Sequence, residues 1–172
     1  QRRSYDEQTI QPVTISMILK AQPDGDSGLK LQDGRSLYHI KIVGAVRTFE
    51  DYSTNCVYTI EDGTGLVDVK QWSDVNDNAA QTEIRQKASK EHSYVVVIGQ
   101  VKEFDGKKTV VADSVRPIST GNQITHHMLE VVYTGERHKR PVAPQGIGFG
   151  SPAPGYGAPL QMNNNNNTES KM

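Results

Sequence analysis

Val57-Tyr58-Thr59-Ile60-Glu61-Asp62-Gly63-Thr64-Gly65-Leu66-Val67-Asp68-Val69-Lys70-Gln71-Trp72 is the stretch on which the fold turns. It reads as two strands joined by a tight connection. In Asn55 to Glu61 the residues Cys56, Tyr58 and Ile60 share one face. In Leu66 to Trp72 Val67 and Val69 point one way, while Asp68, Lys70 and Trp72 point the other, because side chains alternate along a strand. Asp62-Gly63-Thr64-Gly65 is made of turn residues. The single tryptophan of the chain therefore falls on the polar face of its strand.

Outward from this pair the punctuation stays that of a small β protein. Leu37 to Arg47 alternates, with Tyr38, Ile40, Ile42, Gly44 and Val46 on the face expected to be buried. Upstream, Thr14 is placed to cap a short helix, Ile15 to Lys20. Downstream, Asp77 to Glu91 has the composition of a helix with a thin apolar stripe of Ala80, Ile84 and Ala88. Tyr94 to Phe104 and Lys107 to Val115 are strands joined at Asp105-Gly106, the strongest hairpin signal in the chain. A last helix, Asn122 to Tyr133, follows Pro117. Three strands, a helix and two strands is the order of the OB-fold, and an SH3-like barrel lacks the inserted helix. The expected architecture is all-β: a five-stranded Greek-key barrel with a helix between strands three and four and a C-terminal helix.

The 172 residues are 35% hydrophobic, below an average globular domain, so part of the length is expected to lie outside the folded unit. Residues 141–172 hold five of the eight prolines and the run Asn163 to Asn167, with too little apolar surface to offset ordering entropy. The layout expected is an N-terminal arm over 1–11, the barrel over 12–118, a helix over 122–135 and a disordered linker or tail over 136–172. Gln1 suggests a fragment or a processed chain, and neither a signal peptide nor an apolar run long enough for a membrane span is visible. One cysteine, Cys56, excludes an internal disulfide and a multi-cysteine zinc site and suits a reducing compartment. Residues 136–172 carry four Lys or Arg and two Asp or Glu, which leaves residues 1–135 at a net charge of −3. A non-specific nucleic-acid coat should be basic as a whole, so any such binding must use a local patch.

Two positions suggest that patch. Trp72 follows Lys70 on a polar face, and Phe104 follows Lys102 on one and precedes Lys107 and Lys108 across the hairpin. An aromatic beside cations supplies a π surface for a base and charge for phosphates, which is what single-stranded nucleic acid needs. For either aromatic alone, a ring folded back on the barrel explains the sequence as well. His126-His127 has no metal-ligand spacing, and no phosphate-binding glycine loop or nucleophile elbow is present, so no catalysis, cofactor or metal is expected. The terminal helix carries Ile124, Met128, Leu129, Val131 and Val132, a stripe that either plugs the barrel or packs on helices of other chains.

The run Val57 to Trp72 resembles the OB domain of the middle subunit of replication protein A, the eukaryotic heterotrimer that coats single-stranded DNA. The resemblance extends through Pro12 to Ser16, Ile42-Val43-Gly44, Phe104 with Lys107-Lys108, and Thr125 to Val131, covering about 10–135. The asparagine- and proline-rich tail points to a fungal member. The resemblance implies that Trp72 and Phe104 stack on bases, with Arg47, Lys70, Lys102, Lys107 and Lys108 receiving phosphates. It also implies that the terminal helix joins helices of a large and a small subunit, in the nucleus, in DNA replication, repair and recombination. The family's phosphorylated N-terminal arm and winged-helix domain are not expected in this chain, and the tail from Pro141 would be the linker to the latter. A telomere-capping relative, an OB-fold assembly module that binds no nucleic acid, and an anticodon-binding domain of a tRNA synthetase, which would require a catalytic domain elsewhere in the full gene, are the alternatives.

Overall fold

In the computed structural model, which describes residues 9–25, 28–73 and 79–140, barrel closure depends on one long strand. This strand, β5 (His39–Asp51), follows β1 (Ile10–Pro12), α1 (Ile15–Lys20), β2 (Gln22–Asp24), β3 (Gly28–Lys30) and β4 (Ser36–Leu37). After it come β6 (Asn55–Glu61), β7 (Leu66–Trp72), α2 (Ala79–Ala88), β8 (Tyr94–Phe104), β9 (Lys107–Pro117) and α3 (Asn122–Lys139). The sheet order is β1-β5-β6-β7-β9-β8, and β8 pairs back onto β5 to close the barrel. The barrel is five-stranded and mixed, because β7 and β9 run parallel. This is the expected Greek-key OB-fold with its helix between the third and fourth barrel strands. No helix among the described residues is long and apolar enough to cross a membrane.

β5 closes the barrel because its two halves pair with different strands: His39 to Ala45 with β8, Ala45 to Asp51 with β6. Such a strand must bend sharply, and Gly44 sits at the bend. A Cβ there would lie 2.6 Å from the Glu61 carbonyl oxygen and 2.7 Å from Ile60 Cγ2, so no other residue fits. The interior is filled by Ile40, Ile42, Val46, Tyr58, Ile60, Val67, Val69, Val95, Val97 and Val110, all buried. Tyr38 departs from the expected alternation. It lies between β4 and β5, where the chain passes from one sheet to the other, and is 38% exposed.

The Asp62 to Thr64 turn does more than connect β6 and β7. Asp62 Oδ2 accepts from the Ile15 amide at 2.8 Å and Thr64 Oγ1 from the Ser16 amide at 3.0 Å. Thr14 Oγ1 accepts from Met17 N at 3.3 Å, as a cap. The first turn of α1 is thus satisfied partly by the connection it packs against. Ile15 and Leu19 then press on Gly65, which seats the helix on one end of the barrel.

The terminal helix docks through polar groups. His127 is buried, its Nε2 donating to the Val13 carbonyl at 3.2 Å, and Glu130 pairs with Lys41 on β5. The helix continues to Lys139, past the boundary at 135, with Arg137, His138 and Lys139 in the last turn where cations suit the dipole. The expected arm over 1–11 falls mainly, and the tail from 141 entirely, outside the described residues, as does the start of the expected helix at Asp77.

Candidate nucleic-acid interface

The outward face of β7, β9 and β8 carries the candidate residues. Along β7, Val67 and Val69 are buried, so Asp68, Lys70 and Trp72 must face out. Trp72 is 57% exposed, and the Lys70 ammonium lies 4.1 Å from the ring centroid. That cation–π contact holds the ring in place and keeps a positive charge at it. Beside Trp72 opens a pocket of about 440 Å³, walled in part by Ile84 of α2 and by Ser114 and Arg116 of β9.

Phe104 is 85% exposed, the most exposed large hydrophobic side chain described. It pairs with Lys107 across a two-residue turn in which Asp105 and Gly106 have φ of 51° and 73°, the positive values that such hairpin turns require. The register fixes the distance between the two rings along the sheet. Asp68 pairs with Thr109, so Lys107 is level with Leu66, and Trp72 stands six residues further along β7. At roughly 3.3 Å per residue that is about 20 Å. Adjacent bases of one strand cannot occupy both rings; several nucleotides must lie between.

The five expected cations have different surroundings. Lys70 lies over the indole, and Lys102 is exposed with no partner among the described residues. Lys107 is exposed but bonded to Asp68 at 2.7 Å, and the hydrogen bond and charge of that carboxylate raise its pKa. Arg47 lies beyond β6, at the irregularity in β5, bonded to Glu61 and 3.3 Å from His92 Nδ1. Lys108 faces away from the candidate surface. Its ammonium donates to the Leu19 carbonyl at 3.1 Å and its side chain is only 13% exposed, so it braces the hairpin against α1.

Arg116, beside the Trp72 pocket, is a candidate that reading the sequence missed. The pairing of β8 and β9 shifts between Ile98 and Gly99, where Ser114 and Ala112 are the partners and Asp113 is the extra residue. That bulge changes the parity of β9, so simple alternation could not place Arg116. His126 and His127 face apart, as expected of neighbours on a helix: the first is exposed, the second buried. Burial pushes the His127 ring below the usual histidine range, and its Nδ1 has no hydrogen-bond partner. Cys56 is buried beneath the sheet, its thiol pushed up by burial.

On α3 the expected apolar residues divide. Leu129 and Val132 are each 64% exposed, as is Tyr133, which the sequence stripe left out. Ile124, Met128 and Val131 are half-buried.

Comparison with known proteins agrees with the fold. Residues 40–118 match the model of the OB-fold nucleic acid binding domain. The chain is 37% identical over 136 residues to replication factor A protein 2 of Saccharomyces cerevisiae, covering 72% of this chain and 49% of that protein. It superposes on a chain from a structure of a replication protein A heterotrimer bound to ssDNA with a TM-score of 0.65 and 33% identity, covering 77% of this chain and 99% of the other. The chain belongs to the replication protein A middle-subunit family. It spans about half the length of the curated relatives it matches. A chain of the Schizosaccharomyces pombe Stn1–Ten1 complex shares the fold, with a TM-score of 0.64 and 18% identity over 75% of this chain and 93% of that one.

Proposed function

We propose that this chain is the middle subunit of a heterotrimeric replication protein A-like complex, binding single-stranded DNA in the nucleus during replication, repair and recombination. Bases stack on Trp72 and Phe104, and phosphates meet Lys70, Lys102 and Arg116 before the ion-paired Lys107 and Arg47. The observation that carries the reading is the pair of exposed aromatic rings on one outward sheet face, one of them under a lysine ammonium. The asparagine- and proline-rich sequence after residue 140 supports a fungal source.

The terminal helix serves assembly with a large and a small subunit. Leu129, Val132 and Tyr133 leave an apolar stripe that the chain's own barrel does not cover. Burying such side chains is worth about 1.5–3 kcal/mol for each aliphatic one.

Trp72 is the single tryptophan, so its emission tests the stacking role directly. Adding an oligothymidylate to the co-expressed complex that carries tryptophan only at position 72 should quench it, because a stacked base takes up the excited state. Unchanged emission at saturating oligonucleotide would overturn the stacking role of Trp72.

A further inference from the structure

Between α1, the turn joining β3 to β4, and the second half of α3 lies a cavity of about 360 Å³. Its floor is apolar, formed by Met17, Leu31 and Val131, and it meets the exposed stripe of α3 at Val132. Into it points Arg35, whose side chain is only 6% exposed. Only one nitrogen of the guanidinium makes a hydrogen bond. Nε donates to Asp33 Oδ2 at 2.8 Å and Nη2 lies 2.6 Å from the same oxygen as an ion pair, but neither Nη1 nor Nη2 has a hydrogen-bond partner.

A buried N–H without an acceptor is costly, and a guanidinium edge suits a carboxylate above other acceptors. The surrounding charge also suits an anion. Lys20 lines the cavity without an ion-pair partner among the described residues, Asp33 is taken by Arg35, and Glu136 is held by Lys139 at 3.0 Å. Gly135 forms the helix side of the cavity. A Cβ there would already stand 3.9 Å from Nη2, so a larger side chain would occupy the space beside the guanidinium.

We propose that the cavity receives a carboxylate from a partner subunit: an Asp or Glu on a helix packed along Leu129, Val132 and Tyr133 reaches in and accepts from Arg35 Nη1. This rests on the assembly role of α3 given above. The continuity of the cavity with the exposed stripe places its occupant on the same partner. The apolar floor favours a protein side chain over a nucleic-acid phosphate, which needs cations but no methyl groups beneath it.

The test uses the full chain co-expressed with its large and small subunits. Arg35→Gln should weaken subunit association about tenfold, read from dissociation on serial dilution, while single-strand affinity of the intact complex stays within twofold. Arg35→Lys keeps the charge and adds a coupling handle. A carbodiimide should then join the new amine to a partner Asp or Glu as an amide, the reagent taking up the water as a urea. Mass spectrometry should find that link in Arg35→Lys and not in the wild type, whose Lys20 and Lys139 report the background. Couplings confined to Asp33 or Glu136 of the same chain would overturn the proposal, as would wild-type association of Arg35→Gln. So would a loss of DNA affinity with association unchanged, which would assign the cavity to a phosphate. Leu129→Glu separates the two levels: if it leaves the heterotrimer intact, the assembly role of α3 has failed. If it dissociates the complex and no partner link forms at position 35, only the carboxylate site has failed.

Discussion

Replacing Asp68 by Asn should strengthen DNA binding, although it touches no residue expected to contact a base. Lys107 is 72% exposed on the candidate face, but its ammonium is bonded to Asp68 at 2.7 Å. A phosphate must compete with that carboxylate. The amide of Asp68→Asn keeps the shape and still accepts from Thr59 Oγ1, which now donates to Asp68 Oδ1 at 3.2 Å, so the sheet should be undisturbed. Lys107 stays protonated, because Asp68 raises its pKa and losing the carboxylate only returns it toward the ordinary lysine value.

Three cations on or beside the face have no ion-pair partner among the described residues: Lys70, Lys102 and Arg116. At roughly 0.7 per phosphate contact for single strands, the wild-type log–log salt slope should be about −2.1 for this domain, and Asp68→Asn should take it to about −2.8. The added contact corresponds to about a fivefold gain in affinity at 0.1 M salt. Fluorescence anisotropy of a labelled oligothymidylate, titrated at several NaCl concentrations, measures both quantities. A wild-type slope near −3.5 would mean that phosphates already displace Asp68 and Glu61 from Lys107 and Arg47. That result, or a slope left unchanged by Asp68→Asn, would refute the reasoning.

Trp72→Ala and Phe104→Ala should each weaken single-strand binding about 5- to 150-fold while leaving the circular dichroism unchanged; the range is the 1–3 kcal/mol per stacked base found for single-strand-binding OB-folds, replication protein A among them. Gly99→Ala should destabilise the barrel by about 3 kcal/mol, a fall in Tm of roughly 10 °C, because the new Cβ would stand 2.2 Å from the Val111 carbonyl oxygen and 2.7 Å from Ala112 Cα, both backbone. His127 should make stability fall with acidification. Desolvation lowers its folded pKa, so the unfolded chain binds the proton more readily; its contribution is complete above the unfolded value of about 6.5 and is lost as pH falls from there through the folded pKa. Thermal melts between pH 7.5 and 5.5 should show the decline, and His127→Gln should flatten it.

Much of the fold is legible because its strands alternate cleanly. Asn55–Glu61 and Leu66–Trp72 have the bounds that Cys56, Tyr58, Ile60, Val67 and Val69 imply, since one face of each strand is buried inside a barrel. The same rule fails at Tyr38, where the chain passes between two sheets, and after Asp113, where an extra residue resets the parity. The end of α3 was hidden by composition. Thr134-Gly135-Glu136 looks like a helix stop, yet the helix runs on to Lys139, with Lys139 paired to Glu136 and cations at the C-terminal end of the dipole. Side-chain partners are the least legible. A strand pattern says which way Lys107 or Lys108 points, but only the assembled barrel shows that one meets Asp68 and the other the Leu19 carbonyl.

The distribution of these partners bears on how such a domain works. Of the cations expected to meet phosphates, Lys107, Arg47 and Lys108 already hold internal acceptors, and the two aromatic platforms stand about 20 Å apart by the strand rise. A strand that crosses the domain therefore finds two stacking points and a few phosphate contacts, with no continuous basic channel. Such a site is weak alone and gains from neighbours. Linked to other OB-folds on the same strand, a modest site contributes through effective concentration, and each can release without freeing the whole strand. The assembly stripe on α3 and the weak DNA face then form one design. On the function proposed above, Leu129, Val132 and Tyr133 would hold the barrel in a complex, and the complex would raise the local DNA concentration that Trp72 and Phe104 need. Separating the two should leave a folded barrel whose DNA affinity falls well below that of the complex although every DNA-facing residue is intact.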